Sequence, residues 1–380
     1  MKGERTMNAG KGHALRSPDY MRISLAAAMT LGYEPGLFFR GARLFCINLL
    51  LTYPEGCRGR CAYCGLSAQG PAARRGEKFI RVQWPAYPLA DIIDRISSRP
   101  EAVKRICISM ITCRQAKADT VAVCTRLRSS FDLPVSLLIT PTLLGDGDLE
   151  RFKAAGADKV GVAIDLATPA LFDRYRGSGV QGPHRWGVYW ECFRRAVEVF
   201  GEGNAGVHLM VGMGETEKEM CAAIQRARDL GGRTHLFSFF PEHGSPLAGH
   251  AKPSLVHYRH VQLARYLIDQ GIAKAEQFAF DDQGRIMNFG LSAADQDGLI
   301  RSGEPFRTSG CEGYDGEVAC NRPFANSRPG PHLRNFPFPP TVEDLDRIRW
   351  QMGGRMGRVS HRKRSLTKYA GGQSLRPGDA

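Results

Sequence analysis

From residue 44 onward the chain alternates between short apolar runs and longer amphipathic stretches. The runs, at 44–51, 105–111, 135–139, 159–164, 206–211 and 235–240, are rich in Val, Ile, Leu and Phe. Their near-continuous apolar character predicts strands buried on both faces. Between and after them, the segments 89–97, 117–129, 147–155, 186–200, 217–230 and 255–270 carry helical periodicity. Asp146 and Thr216 stand where helix N-caps belong. Strand and helix in alternation imply a parallel sheet with right-handed crossovers. Six such units in about 230 residues fit an α/β barrel or part of one. The predicted fold class is therefore α/β, a partial (β/α)6 barrel of the TIM type.

After Gly271 the pattern changes. Residues 272–340 are rich in Gly, Pro, Asn and Arg and hold few periodic segments. They read as an irregular region packed on the barrel, followed by a last helix at 342–352. The expected division is a 1–43 N-terminal extension, a 44–280 barrel, a 281–352 C-terminal region and a 353–380 basic tail. The tail holds too little apolar surface to bury a core, which predicts disorder.

Composition narrows the class. Hydrophobic residues make up 43% and charged residues 24% of 380. These ordinary values exclude wholesale disorder, a fibre and a small disulfide scaffold. No run approaches the ~18 apolar residues of a membrane span, and residues 1–20 contain no apolar signal core. A cytoplasmic protein with no membrane partner is expected. Its eleven cysteines then stay reduced, and clustered ones point to metal ligation or catalysis. The net charge of +14, much of it in the tail, favours an acidic partner. Cysteines plus a basic tail also allow a zinc-stabilised nucleic-acid-binding protein. The tail, however, offers Tyr369 alone for base stacking, so no nucleic-acid partner is expected.

Ligands of α/β barrels bind where the strands end. Just after the first run stands Cys57-Arg58-Gly59-Arg60-Cys61-Ala62-Tyr63-Cys64, a C-x3-C-x2-C spacing with an aromatic before the last cysteine. Three thiolates on one Gly-rich loop suit an iron–sulfur cube and leave one iron open. A structural zinc site needs a fourth ligand, and none is adjacent. Ile164-Asp165 closes the fourth run, and Gly212-Met213-Gly214-Glu215-Thr216 follows the fifth. Cys311 and Cys320, nine apart in a polar Gly-rich stretch, invite further metal ligation, and Cys113 lies just beyond the second run. Cys46, Cys124, Cys192 and Cys221 read as small core residues.

The cysteine loop resembles the cluster signature of the radical S-adenosylmethionine (SAM) enzymes, and the resemblance extends over roughly residues 44–280. It implies a [4Fe–4S] cluster on Cys57, Cys61 and Cys64 whose open iron chelates SAM. Reductive cleavage would then give a 5′-deoxyadenosyl radical that abstracts hydrogen from an unactivated carbon, with an electron donor as partner. The same resemblance implies Tyr63 near the adenine and Asp165 on the ribose. It places Arg185 on the SAM carboxylate and Gly212, Gly214 and Glu215 beside the nucleoside. The family's Gly-Gly-Glu segment after strand two is missing. Ser109 or Thr112 is expected to take the amino group instead.

Within the superfamily, LLLTYPEGCRGRCAYCGLSAQ, FIRVQWP and HLFSFFPEHGSP look most like the two-protein lipoyl synthases. In these, homologous proteins each insert one sulfur into an octanoyl chain, and the second component is the better match. This resemblance implies sulfur transfer from an auxiliary iron–sulfur cluster, expected on Cys311, Cys320 and Cys113. It also implies an acidic octanoylated lipoyl carrier protein and a homologous radical SAM protein as partners. A biotin-synthase-like enzyme with a small-molecule substrate is the alternative. Cys107 stands where such enzymes place an auxiliary ligand, but the stretches Val135-Ser136-Leu137-Leu138 and Gly206-Val207-His208 contain no cysteines, so a [2Fe–2S] site of that kind is not expected.

Overall fold

The computed structural model describes residues 15–67, 78–79, 81–325, 330 and 332–353. The tail beyond Gly353, with its expected disorder, and residues 1–14 lie outside the described residues. In chain order the strands are β1 (Tyr20–Ile23), β2 (Cys46–Leu51), β3 (Lys78–Phe79), β4 (Val82–Gln83), β5 (Ala86–Pro88), β6 (Arg105–Ser109), β7 (Val135–Ile139), β8 (Ala157–Asp165), β9 (Ala205–Val211), β10 (Arg233–Ser238), β11 (Ala279–Phe280) and β12 (Ile286–Asn288). The helices are α1 (Leu25–Thr30), α2 (Leu89–Ser97), α3 (Ala116–Ser130), α4 (Asp148–Ala154), α5 (Pro169–Tyr175), α6 (Trp186–Phe200), α7 (Glu217–Asp229), α8 (Leu255–Asp269), α9 (Ala293–Ser302), α10 (Arg322–Ala325) and α11 (Val342–Gln351).

The main sheet runs β10-β9-β8-β7-β6-β2-β1-β5. Six neighbours, β2 and β6 to β10, are parallel, and β1 and β5 add an antiparallel edge. All six predicted runs are strands of this sheet. β1 and α1 fall in the segment expected as an extension. Their apolar signals, YMRI and LAAAMT, are too short to stand out as periodicity.

The runs that look uniformly apolar in fact alternate. In β9, Val207, Leu209 and Val211 are fully buried toward the helices, while His208 and Met210 line a central chamber. β2, β6, β7, β8 and β10 place Leu50, Ser109, Leu138, Ala163 and Phe237 on the same chamber. Six strands can share one cavity only if the sheet is curled, so this is a partial (β/α)6 barrel. Outside it, α6 turns Tyr189, Trp190, Phe193, Ala196 and Phe200 onto the sheet at helical spacing. Thr216 caps α7 through a reciprocal box with Glu219.

The curl leaves a seam between β10 and β2, and the segment 308–322 fills it. Ser309 Oγ accepts from Leu236 N at 3.0 Å on the β10 edge. At the other side Asn48 of β2 reaches Cys320 Sγ at 3.9 Å. Ion pairs hold the segment from below: Glu312 meets Lys159 at 2.5 Å and Arg233 at 2.9 Å, and Asp315 pairs with Lys104. Gly310 passes so close to Cys320 O that an added Cβ would lie 1.7 Å from it. No described helix is long and apolar enough to cross a membrane.

Leu209 is buried at 0% exposure and Leu37 is 97% exposed. Leu209→Ala is expected to lower unfolding free energy by about 3 kcal/mol. Leu37→Ala is expected to change it by less than about 0.5 kcal/mol. Urea denaturation midpoints of the two variants measure both.

Candidate functional site

The loop after β2 carries Cys57, Cys61 and Cys64 onto the wall of a chamber of about 200 Å³ at the carboxyl ends of the strands. Backbone hydrogen bonds Arg58 N to Thr112 O and Ala62 N to Tyr175 O pin the loop to the barrel rim. Gly59 N and Thr112 N both donate to Cys57 Sγ, at 3.3 and 3.4 Å. Both N–H groups are aimed at the sulfur that would ligate a metal. Burial pushes the Cys61 thiol up to about 11 and Cys64 further, so neither ionises readily without a metal to take up the charge.

Beside the triplet, Tyr63 donates from its hydroxyl to Asp165 Oδ2 at 2.7 Å. Asp165 ends β8 with φ +67, a left-handed conformation uncommon for a residue with a side chain. Arg176 holds it there: Nη1 donates to Asp165 Oδ2 at 2.6 Å and to Ala163 O, and Nη2 donates to Tyr189 OH at 3.1 Å. Nothing in the sequence pattern singled out Arg176. It sits between a helix end and a Gly-rich turn, where most arginines are solvated.

The remaining expected residues divide. Ser109 lines the chamber, 2% exposed, and accepts from Arg322 Nη1 at 3.2 Å. Thr112 also lines it. Gly212, Gly214 and Glu215 do not border the chamber; Glu215 braces that loop by accepting from Gly212 N at 2.6 Å and Met213 N at 2.8 Å. Burial raises the Glu215 carboxyl to about 7 against the pull of those two N–H groups. Gly212 has φ +103 and lies against Pro253, which leaves no room for a Cβ. Arg185 is exposed and donates to Gly182 O at 3.1 Å and His184 O at 2.9 Å. Its neighbour His184, 1% exposed, is the side chain that lines the chamber. Burial, then Arg176 and Arg185, push His184 down to about 2, so the ring is neutral.

The second group of cysteines is assembled differently from expectation. Cys46 and Cys107 are buried together with Ala319, and Cys320 packs on them. Asn48 Nδ2 lies 3.5 Å from Cys46 Sγ, and Cys311 Sγ lies 3.9 Å from His235 Nε2. Burial pushes Cys107 and Cys311 up, whereas the Cys46 hydrogen bond draws Cys320 down. Cys46, read from sequence as a core residue, thus points into the barrel floor beside Cys107, Cys311 and Cys320. Cys113 does not join them. It bonds Gln115 Oε1 at 3.0 Å near Tyr53, past the far end of β2 from Cys46, ~20 Å away along the strand. The period-two alternation of β2 was the missed signal: Cys46, Asn48 and Leu50 share one face.

A small cavity of about 30 Å³ beside Cys107, Cys311 and Cys320 shares Leu138, His208, Phe237 and Arg322 with the chamber above. Arg322 is 6% exposed, and among the described residues it makes no ion pair with a carboxylate. Among the described residues no three or more His, Cys, Asp or Glu side chains close on a point as one bound ion requires. A cluster with its own sulfides holds its cysteines further apart than a single ion does.

The Radical SAM superfamily model matches residues 51–227. No curated protein matches the chain. Among solved structures, HydG, a maturase of the [FeFe]-hydrogenase, is 13% identical over 64% of this chain and 52% of its own, with a TM-score of 0.47. The radical S-adenosylmethionine methyltransferase TsrM from Kitasatospora setae is 15% identical over 80% and 56%, with a TM-score of 0.37. The chain spans about half the length of these two proteins.

Arg176→Met leaves Asp165 without its cation and Tyr189 without its donor. It is expected to cost about 3 kcal/mol in urea unfolding. Arg176→Lys, which restores charge but not the planar fork, is expected to recover part of that loss.

Proposed function

Residues 51–227 match the Radical SAM superfamily model, and from that match we propose that the protein inserts sulfur into an octanoyl chain carried on an acidic carrier protein. The domain implies a [4Fe–4S] cluster and SAM. Together these supply, on reduction, a 5′-deoxyadenosyl radical able to remove hydrogen from an aliphatic carbon. Cys57, Cys61 and Cys64 would hold that cluster, and the Tyr63–Asp165–Arg176 group would fix the nucleoside side of the site. Ser109 and Thr112, which line the chamber, would take the place of the missing Gly-Gly-Glu segment.

The observation that carries the sulfur-insertion reading is the shared wall of Leu138, His208, Phe237 and Arg322 between the upper chamber and the four-cysteine floor. Phe79, Phe239 and Met210 extend the apolar lining upward. A slender alkyl chain fits such a slot and would come within reach of both ends. Cys46, Cys107, Cys311 and Cys320 would hold the auxiliary cluster, the sulfur donor, in place of the set with Cys113. Arg322, buried beside Cys107 and Cys320, would favour an anionic group at that floor. Exclusion of water by the seam segment protects a carbon radical from side reactions. The basic chain favours an acidic carrier. A homologous radical SAM protein for the other sulfur and an electron donor complete the proposed partners.

The test is anaerobic incubation of the reconstituted protein with SAM, dithionite, octanoylated carrier peptide and the homologous partner. Mass spectrometry should find sulfur added to the octanoyl group. Cys320→Ala should still form 5′-deoxyadenosine but add no sulfur. Deoxyadenosine formation without any sulfur gain in the unaltered protein contradicts the reading. Turnover of free octanoate alone points instead to a small-molecule substrate.

A further inference from the structure

A hollow of about 290 Å³ opens at the amino ends of β8, β9 and β10, on the face of the barrel opposite the three-thiol loop. Among the described residues, none lines both this hollow and the upper chamber. The hollow does share His235, Ser309, Gly310 and Cys311 with the small cavity at the cysteine floor. Cys311 therefore stands between the hollow and the other floor thiols. Three buried polar atoms of residues on this wall have no hydrogen-bond partner among the described residues: Thr234 Oγ1, Arg265 Nε and Asp269 Oδ1. All three side chains are at least nine-tenths buried. Buried polar groups in native proteins are paired, so three orphans on one wall point to a polar ligand. Asp269 is the last residue of α8, where the negative end of the helix adds to its carboxylate and suits an ammonium group. Arg265 can only donate, which suits a carboxylate, and its Nη1 lies 3.8 Å from Asp269 Oδ2. An anionic acceptor and a cationic donor side by side fit the two charged groups of an α-amino acid.

Resting on the sulfur-insertion reading above, we propose that this hollow binds the persulfide of a thiol α-amino acid and passes its outer sulfur to Cys311. Asp269 takes the ammonium, Arg265 takes the carboxylate, and the Thr234 hydroxyl bonds to either. The sulfur end of the ligand is then left to face Cys311 on the same wall. Sulfur insertion removes sulfide from the floor, so a sulfur-supplying reaction must come before the next turnover. The upper chamber serves the substrate, whereas the hollow reaches the floor thiols from the opposite side. In the transfer, Cys311 Sγ bonds the outer sulfur and the S–S bond of the donor breaks. The Cys311 proton leaves on the departing thiol. One S–S bond replaces another with no net oxidation, as in thiol–disulfide exchange. The step belongs to the protein whose floor has given up its sulfide, because Cys311 must then be free of iron.

The experiment treats the full-length protein anaerobically, before iron and sulfide are supplied, with cysteine persulfide whose outer sulfur is isotopically heavy. Alkylation and peptide mass spectrometry then locate the label. Ethyl persulfide, which lacks both charged groups, is the comparison. Cys311 should gain the heavy sulfur first. Cysteine persulfide should label it about tenfold faster than ethyl persulfide at equal, limiting concentration. Asp269→Asn and Thr234→Val should each shrink that ratio several-fold, and Thr234→Ser, which keeps the hydroxyl, should retain it. Thermal unfolding of each variant reports whether it folds; if Asp269→Asn does not, the two Thr234 variants decide by the same ratio. Heavy sulfur on Cys46, Cys107 or Cys320 ahead of Cys311 overturns the inference. Equal rates for the two persulfides overturn it as well, as does an unmoved ratio in a folded Asp269→Asn. Iron counting on reconstituted protein keeps the two layers apart. Selective labelling of Cys311 in a chain whose floor gathers no iron contradicts the sulfur-insertion reading alone. Iron at the floor with unselective labelling contradicts this inference alone.

Discussion

A curled parallel sheet that stops short of closure exposes one strand edge and one side of its interior, and buried backbone donors left there would be costly. In this protein β10 is that edge, and the segment 308–322 covers it while reaching across to β2. Everything at the floor of the barrel follows from that contact. Ser309 satisfies the edge, Gly310 lets the chain double back against Cys320, and Cys311 and Cys320 arrive beside Cys46 and Cys107. The ion pairs of Glu312 and Asp315 lie partly exposed, so each adds little on its own. Their part is to set the register of the segment, and with it the aim of two thiols.

The upper end obeys a different logic. There the strand ends supply short polar side chains, and buried arginines organise them. Arg176 carries most of this burden, since it bonds a strained aspartate, a strand carbonyl and a tyrosine at once. The three-thiol loop then sits over a site in which Tyr63, Asp165 and Arg176 are already bonded to one another. Such preorganisation lowers the cost of binding and of holding a reactive species in place.

Much of this was legible in the residues. The six apolar runs and the helices between them gave the sheet and its parallel order, because periodicity reports burial directly. The cysteine spacing, with Tyr63 and Asp165, pointed to one end of the barrel, and the structure brings these side chains together there. Two things were hidden. Inward and outward positions inside each run look alike when cysteine, alanine, methionine and phenylalanine all count as apolar; Cys46 is buried as expected, but the run did not say that it faces Cys107 and Cys320. Long-range closure was the other: no local signal says that residues 311 and 320 meet residues 46 and 107, and nearness to the rim wrongly favoured Cys113. Arg176 and His184 lie in a Gly-rich turn whose conformation depends on tertiary contacts, which a linear pattern does not encode.

Two groups of thiols lie at opposite ends of one barrel, and the proposed chemistry requires an iron–sulfur cluster on each. Iron counting by Mössbauer spectroscopy on anaerobically reconstituted protein tests it most directly. About eight irons per chain are expected in the unaltered protein and about four when Cys57, Cys61 and Cys64 are all replaced by alanine. About four in the unaltered protein and none in the triple variant would contradict it.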